Sequence, residues 1–424
     1  MLRRLLSGTF IRNILILSSG TALAQVIIFL SSLVLTRVYN VEDFGYFQYY
    51  QTALLFLLIV SCLRYDFAIM AAENEKETLE LGFLSLTVII IFFLLLSLGL
   101  YIFKNSLIDT QLVPLGMVNY LWIFPIAFFL GAVYQVLNYM LVRFSNFQLI
   151  SITKISQSVG LSSAQMSIGI ALKGPIGLFI GDVIGRIFGI FTILKWLLKR
   201  HSALIKELRI SQLKRVALKF KYYPIYSMPG TIFNSLGSYL PTFFLAYYYD
   251  YTVLGYYSLA DKVFLIPFVL IGQSMGQIYT NKIRELNEND RSGINRLFKN
   301  IISKTGMLII GPLIIFAIYA PDFFSFVFGE NWRLAGTYAS LLVFMQFFGF
   351  LAGVTSFTLF ILGKQKIQFF WELSRVLAVL GLFIFSRYKG LTPIAIILSY
   401  SIIMGVFYII QLYLIYITTK KINK

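Results

Sequence analysis

The chain has 424 residues, of which 58% are hydrophobic and only 13% charged, with a mean hydropathy of +0.79. Apolar runs long enough to cross a hydrocarbon core of about 30 Å recur from end to end, which excludes a soluble fold and leaves no room for a separate soluble domain. One cysteine, Cys62, excludes an internal disulfide, and one histidine, His201, argues against a metal site; no cofactor is expected.

The N-terminus carries Arg3-Arg4, then Ile14 to Leu17 and Ala22-Leu23-Ala24, a pattern similar to a signal peptide. The apolar run continues to Leu35, so it is read as a retained first span. Apolar windows then predict an all-α polytopic membrane protein of about twelve transmembrane helices. A β-barrel would show alternating ten-residue segments instead. The first-half spans fall at 13–37, 46–71, 81–103, 117–141, 148–172 and 174–195. Those of the second half fall at 223–248, 254–280, 301–320, 334–362, 367–386 and 391–417. The expected organisation is an N-terminal six-helix lobe at 1–197, a basic cytoplasmic linker at 198–221 and a C-terminal six-helix lobe at 222–424.

Charge orients the spans. With the N-terminus inside, most of the 36 Lys and Arg fall in cytoplasmic segments, and the outer loops hold only Arg37, Lys104, Lys173, Arg333, Arg387 and Lys389. Both termini are therefore expected in the cytoplasm. The same bias accounts for the net charge of +18 without nucleic acid. The basic segment Lys195–Lys221 reads as a topology signal and a contact for anionic lipid headgroups.

An internal repeat supports two related halves. Gly20-Thr21 and Gly45-Tyr46-Phe47 return as Gly230-Thr231 and Gly255-Tyr256-Tyr257, offset by 210 residues. Duplicated helical halves are a common skeleton of transporters.

A charge at the bilayer centre costs at least about 2.5–3.5 kcal/mol, so charges inside spans mark cavities or functional groups. Arg64, Arg186 and Lys262 are the cations assigned to spans. Arg64 and Asp66, two apart, point to different sides of a helix, and Asp261 and Lys262 are adjacent. Asp182 and Arg186 are spaced i, i+4 and are placed to pair; Glu372 and Arg375 are spaced i, i+3.

The run Leu35-Thr36-Arg37-Val38-Tyr39, followed by Glu42-Asp43-Phe44-Gly45-Tyr46-Phe47, resembles the polysaccharide-export flippase family. So do Ser19-Gly20-Thr21-Ala22-Leu23-Ala24-Gln25, Arg64-Tyr65-Asp66-Phe67-Ala68-Ile69 and Leu254-Gly255-Tyr256-Tyr257-Ser258-Leu259-Ala260-Asp261-Lys262. In the last, lysine stands where the family more usually has arginine, keeping the charge and losing the bidentate geometry. The resemblance implies a member of the multidrug/oligosaccharidyl-lipid/polysaccharide exporter superfamily, with two six-helix lobes around a central cavity. Within it, O-antigen flippases turn over an oligosaccharide carried on undecaprenyl pyrophosphate, in a bacterial inner membrane.

On this reading the chain is a flippase and not an enzyme. Substrate-binding candidates are Arg64, Lys262, Arg186 and Arg37; ion-coupling candidates are Asp66, Asp182 and Asp261. The expected partners are the lipid-linked oligosaccharide, anionic lipids and other polysaccharide-assembly membrane proteins. The competing readings are a cation-coupled exporter of drugs or metabolites with the same fold, and a membrane polymerase or glycosyltransferase. The chain has neither a Gly-x-x-x-x-Gly-Lys-Ser/Thr phosphate loop nor a His-Glu-x-x-His motif.

Overall fold

The computed structural model describes residues 8–110, 113–267, 271–289 and 293–422. The chain forms two compact units, Met1–Ser235 and Leu236–Lys424. The first holds α1 (Gly8–Val38), α2 (Val41–Val60), the short α3 (Tyr65–Ala68), α4 (Glu75–Ile102) and α5 (Lys104–Asp109). It continues with α6 (Ile123–Arg143), α7 (Phe147–Ala171), α8 (Ile176–Lys206) and α9 (Ile210–Lys219). Helix α10 (Met228–Tyr248) crosses the division between the units. The second unit continues with α11 (Tyr251–Pro267), α12 (Gln273–Asn289), α13 (Ile294–Phe328) and α14 (Arg333–Thr355). The short α15 (Thr358–Ile361), α16 (Gln365–Lys389) and α17 (Pro393–Ile422) complete it.

Each predicted span coincides with a helix or a broken helix pair; positions 268–270 of the span 254–280 lie outside the described residues. Eight described helices are long and apolar enough to cross a membrane, nine if the bent pair Val41–Val60 and Tyr65–Ala71 counts as one. Helices α7, α10 and α11 are not among them, each for a readable reason. α7 is rich in Ser, Thr and Gln and carries Lys154; α10 contains Asn234, Ser235, Ser238 and Pro241; α11 has only 17 residues. Such polar helices belong inside a membrane protein, where neighbours satisfy their side chains.

Lipid is as apolar as leucine, so helices in a membrane associate through close packing and hydrogen bonds rather than hydrophobic burial. The first unit follows this rule. Gly177, Gly181, Gly185 and Gly189 repeat every fourth residue along α8, giving one smooth stripe. A Cβ at Gly181 would lie 2.3 Å from Gln165 Cγ, and one at Gly185 would lie 2.8 Å from Leu161 Cβ. Helix α7 thus packs backbone-close against α8. Gly20 does the same for α1, since its Cβ would sit 2.4 Å from Ser151 Cβ of α7. The Tyr39 hydroxyl donates to the Gln165 carbonyl at 2.7 Å, and Gln165 Nε2 donates to the Leu178 carbonyl at 3.0 Å, tying α1, α7 and α8 together.

In the second unit Tyr279, Ile283, Ile294, Phe298, Leu359 and Ile415 form one buried cluster. Tyr279 and Thr358 share a hydroxyl hydrogen bond of 2.8 Å, and Trp371 Nε1 donates to the Phe407 carbonyl at 2.8 Å. Large apolar side chains on α4 (Leu94, Leu95, Leu98) and α13 (Met307, Ile315, Phe326) are exposed, as expected for lipid-facing surfaces.

The linker helix α9 is amphipathic and docked on the first unit. Val216 and the following Phe220 are buried. Arg215 grips both oxygens of Glu80 at 2.8 and 3.0 Å, and Lys219 bonds Glu73 at 2.9 Å as well as Glu77. The Tyr65 hydroxyl donates to the Ala217 carbonyl at 3.3 Å.

Candidate functional site: a polar cavity in the first unit

Where α1, α6, α7 and α8 meet, they line an open-sided cavity of about 310 Å³. It begins with Gly20-Thr21. The glycine admits α7, and the next residue receives a hydrogen bond from it: Lys154 Nζ donates to Thr21 Oγ1 at 2.9 Å. Lys154 lies seven residues beyond the start of α7, about 10 Å along its axis. Charge counting assigns it to a cytoplasmic segment; the structure places it within α7, on the cavity wall. Its position inside the predicted span 148–172 was the available signal.

The second cation is Arg186, whose Nε and Nη2 donate to Asp182 Oδ2 and Oδ1 at 2.8 and 3.1 Å. The i, i+4 spacing on α8 makes the pair, as its sequence implies. Asp182 is 3% exposed and also accepts from the Tyr50 hydroxyl at 3.1 Å and Gln51 Nε2 at 3.0 Å. Its acceptor capacity is therefore filled. Among the described residues no carboxylate lies within 4.0 Å of Lys154. The cavity thus carries two cations and one anion. Around Lys154, the side chains of Gln25 and Gln157 make no hydrogen bond to other described residues, and Asn138 Oδ1 is buried without a partner.

The other predicted site residues lie elsewhere. Arg64 sits in a break between α2 and α3 where Leu63 and Arg64 both adopt left-handed backbone, at φ 52° and 63°. Two consecutive non-glycine residues in that region store backbone strain. The Arg64 guanidinium lies 4.8 Å from the Phe67 ring centre, with its buried Nε unpaired. Asp66, 0% exposed, accepts from Gln135 Nε2 at 2.5 Å through Oδ2, and its Oδ1 has no partner among the described residues. Arg37 is exposed at the end of α1, where Nη1 donates to the Leu33 carbonyl at 2.7 Å and caps the helix. In the second unit Asp261 of α11 accepts from Gln346 Nε2 at 3.0 Å, with Lys262 beside it. Arg375 lays its guanidinium 4.9 Å from the Trp371 ring centre, while Glu372 accepts from Gln368. Of the predicted set, the structure brings only Asp182 and Arg186 together in the cavity.

The sequence profile described as polysaccharide biosynthesis protein matches residues 34–337, most of the chain. The chain belongs to this family. No curated protein matches it in sequence. Among solved structures, it resembles the lipid II flippase MurJ in an inward closed conformation, at 15% identity and a TM-score of 0.72. That match covers 96% of this chain and 89% of the flippase. It also resembles an inward-facing multidrug resistance MATE family transporter of the MOP superfamily, at 12% identity, a TM-score of 0.63 and coverage of 96% and 94%. A third likeness is the Vibrio cholerae MATE transporter VcmN, at 15% identity and a TM-score of 0.57, covering 97% and 95%. This polysaccharide biosynthesis protein is an integral multi-pass membrane protein with the all-helical fold shared by those flippases and exporters.

Proposed function

We propose that this protein flips an undecaprenyl-pyrophosphate-linked oligosaccharide, an O-antigen or capsule repeat unit, from the cytoplasmic to the periplasmic leaflet of a bacterial inner membrane. Such a headgroup cannot cross hydrocarbon unaided, because its charges and hydroxyls would lose their water. It needs cations and hydrogen-bonding groups at membrane depth. The observation that carries the reading is the α1–α6–α7–α8 cavity, where Lys154 and Arg186 outnumber Asp182 in a chain of the polysaccharide biosynthesis family. Movement is by alternating exposure of the binding groups to the two sides of the membrane. The termini are cytoplasmic, and the basic segment Lys195–Lys221 meets anionic lipid headgroups as well as the acidic patch of α4. Coupling to an ion gradient is assigned to one of Asp66, Asp182 and Asp261; transport that persists after the gradients collapse would remove that assignment.

One observation favours a cation-coupled exporter as the second reading: Asp66 is a buried acid with an unpaired oxygen, a suitable site for a proton or a monovalent cation. Complementation separates the two. In a strain lacking its own flippase, the chain should restore surface polysaccharide and leave resistance to cationic dyes unchanged. Restored dye resistance without surface polysaccharide would favour the exporter.

A further inference from the structure

Three uncommitted carboxamides from three helices line the same cavity as Lys154: Gln25 of α1, Asn138 of α6 and Gln157 of α7. A carboxamide offers a donor and an acceptor side by side, which matches the neighbouring hydroxyls of a sugar ring. Ala24, Ile28 and Leu161 add apolar wall, and Tyr134 a ring, against which the C–H face of a sugar can pack. The volume lies near the lower end of the roughly 300–1,000 Å³ spanned by small-ligand sites, enough for a headgroup fragment and not for a whole repeat unit.

The charge count narrows the occupant. Arg186 spends its Nε and Nη2 on Asp182, which the Tyr50 hydroxyl and Gln51 also hold in place, so this pair contributes little net charge. What remains is one ammonium. A pyrophosphate carries more than one charge and is usually met by several cations or by a bidentate guanidinium. A single carboxylate set among hydroxyls fits one lysine and three carboxamides.

We infer that this cavity is a subsite for an acidic sugar of the lipid-linked oligosaccharide, with Lys154 reading a single negative charge and Gln25, Asn138 and Gln157 holding its hydroxyls. The inference rests on the flippase reading and adds a substrate preference to it. An anionic group could also come from the carrier phosphates, so the test separates the two sources.

The full-length protein in lipid nanodiscs is titrated with three probes. These are undecaprenyl pyrophosphate without sugar, the same carrier with a neutral trisaccharide, and the carrier with that trisaccharide bearing one hexuronic acid. The native protein should bind the acidic probe roughly tenfold more tightly than the neutral one, the scale of one charge-assisted hydrogen bond. Lys154→Gln should erase this preference, weakening the acidic probe roughly tenfold more than the neutral and sugar-free ones. Lys154→Arg, which keeps the charge, should retain it and controls for folding. Equal binding of acidic and neutral probes by the native protein would overturn the inference. So would a Lys154→Gln loss shared equally by all three probes, since the ammonium would then be reading phosphate. If the native protein binds none of the three, the flippase reading fails, and the inference with it.

Discussion

Lys154 donates a hydrogen bond to Thr21 at 2.9 Å, one residue after a glycine whose missing side chain lets their helices touch. The first member of the internal repeat therefore builds the cavity. Its counterpart does something else: Thr231 donates to the Ser227 carbonyl four residues earlier in the chain, and a Cβ on Gly230 would meet nothing within 4 Å. The two halves share a pattern, and in the described contacts only the first copy builds a polar site.

That difference predicts an asymmetric response to the same substitution. Gly20→Ala should lower the melting temperature in detergent, at a cost of about 1–3 kcal/mol for overpacking against Ser151. Gly230→Ala should leave it unchanged within error. Equal shifts would show that the close approach at Gly20 contributes nothing.

The glycine stripe of α8 should be still less tolerant. Gly181→Leu drives a side chain into Gln165, whose amide holds the Leu178 carbonyl. Purified yield should collapse, whereas Gly381→Leu, placed where a Cβ meets nothing within 4 Å, should purify normally. Size-exclusion profiles of the two variants decide the matter.

Breaking the buried ion pair from one side should cost more than removing both charges. Arg186→Ala leaves the Asp182 carboxylate buried and uncompensated, a loss of about 3–5 kcal/mol. Asp182→Asn with Arg186→Gln should recover a large part of it. A double-mutant cycle on thermal stability measures this, and simple additivity would contradict the pairing.

The linker contact is a separate electrostatic clamp. Glu80 has a side chain 2% exposed, against 71% for its partner Arg215. Arg215→Ala should destabilise the protein by about 1–3 kcal/mol, because the carboxylate stays buried after its donor is gone. The hydrogen bonds that Lys219 donates to Glu77 and Glu73 hold its pKa above the usual 10.5. A raised lysine pKa means that its contribution is present below the ordinary value and is lost only as pH rises through the folded one. The clamp on Lys219 should thus be unaffected by pH in the neutral range and loosen in strong alkali, and again in acid once its partner Glu77 is protonated. Cleavage of the linker by a protease across a pH series tests this.

Much of the fold was readable because membrane insertion imposes a strong pattern: apolar runs marked the long helices, though not α5 or the linker helix α9, and i, i+4 spacing gave the Asp182–Arg186 pair. The polar helices show where the pattern weakens. Helix α7 fails an apolarity test because it faces partners rather than lipid, and the same property makes it the wall of the cavity. Lys154 was hidden for a related reason, since counting cations by topology assigns a lysine near a span end to the loop. The break at Leu63–Arg64 left no sequence mark, because neither residue is a glycine or proline and the strain is imposed by packing. The four-residue glycine spacing of α8 was visible in the sequence and identifies a packing face.

Carriage of a lipid-linked oligosaccharide across the bilayer by this chain can be measured directly. The direct measurement uses the purified protein in proteoliposomes loaded with a fluorescent undecaprenyl-pyrophosphate oligosaccharide that carries one acidic sugar, with an impermeant reagent quenching the outer leaflet. With the chain present, the protected fraction should become accessible within minutes, and Lys154→Glu should slow this at equal reconstitution. If the protected fraction stays at the level of empty liposomes while a cationic dye is exported by the same preparation, the flippase account is wrong.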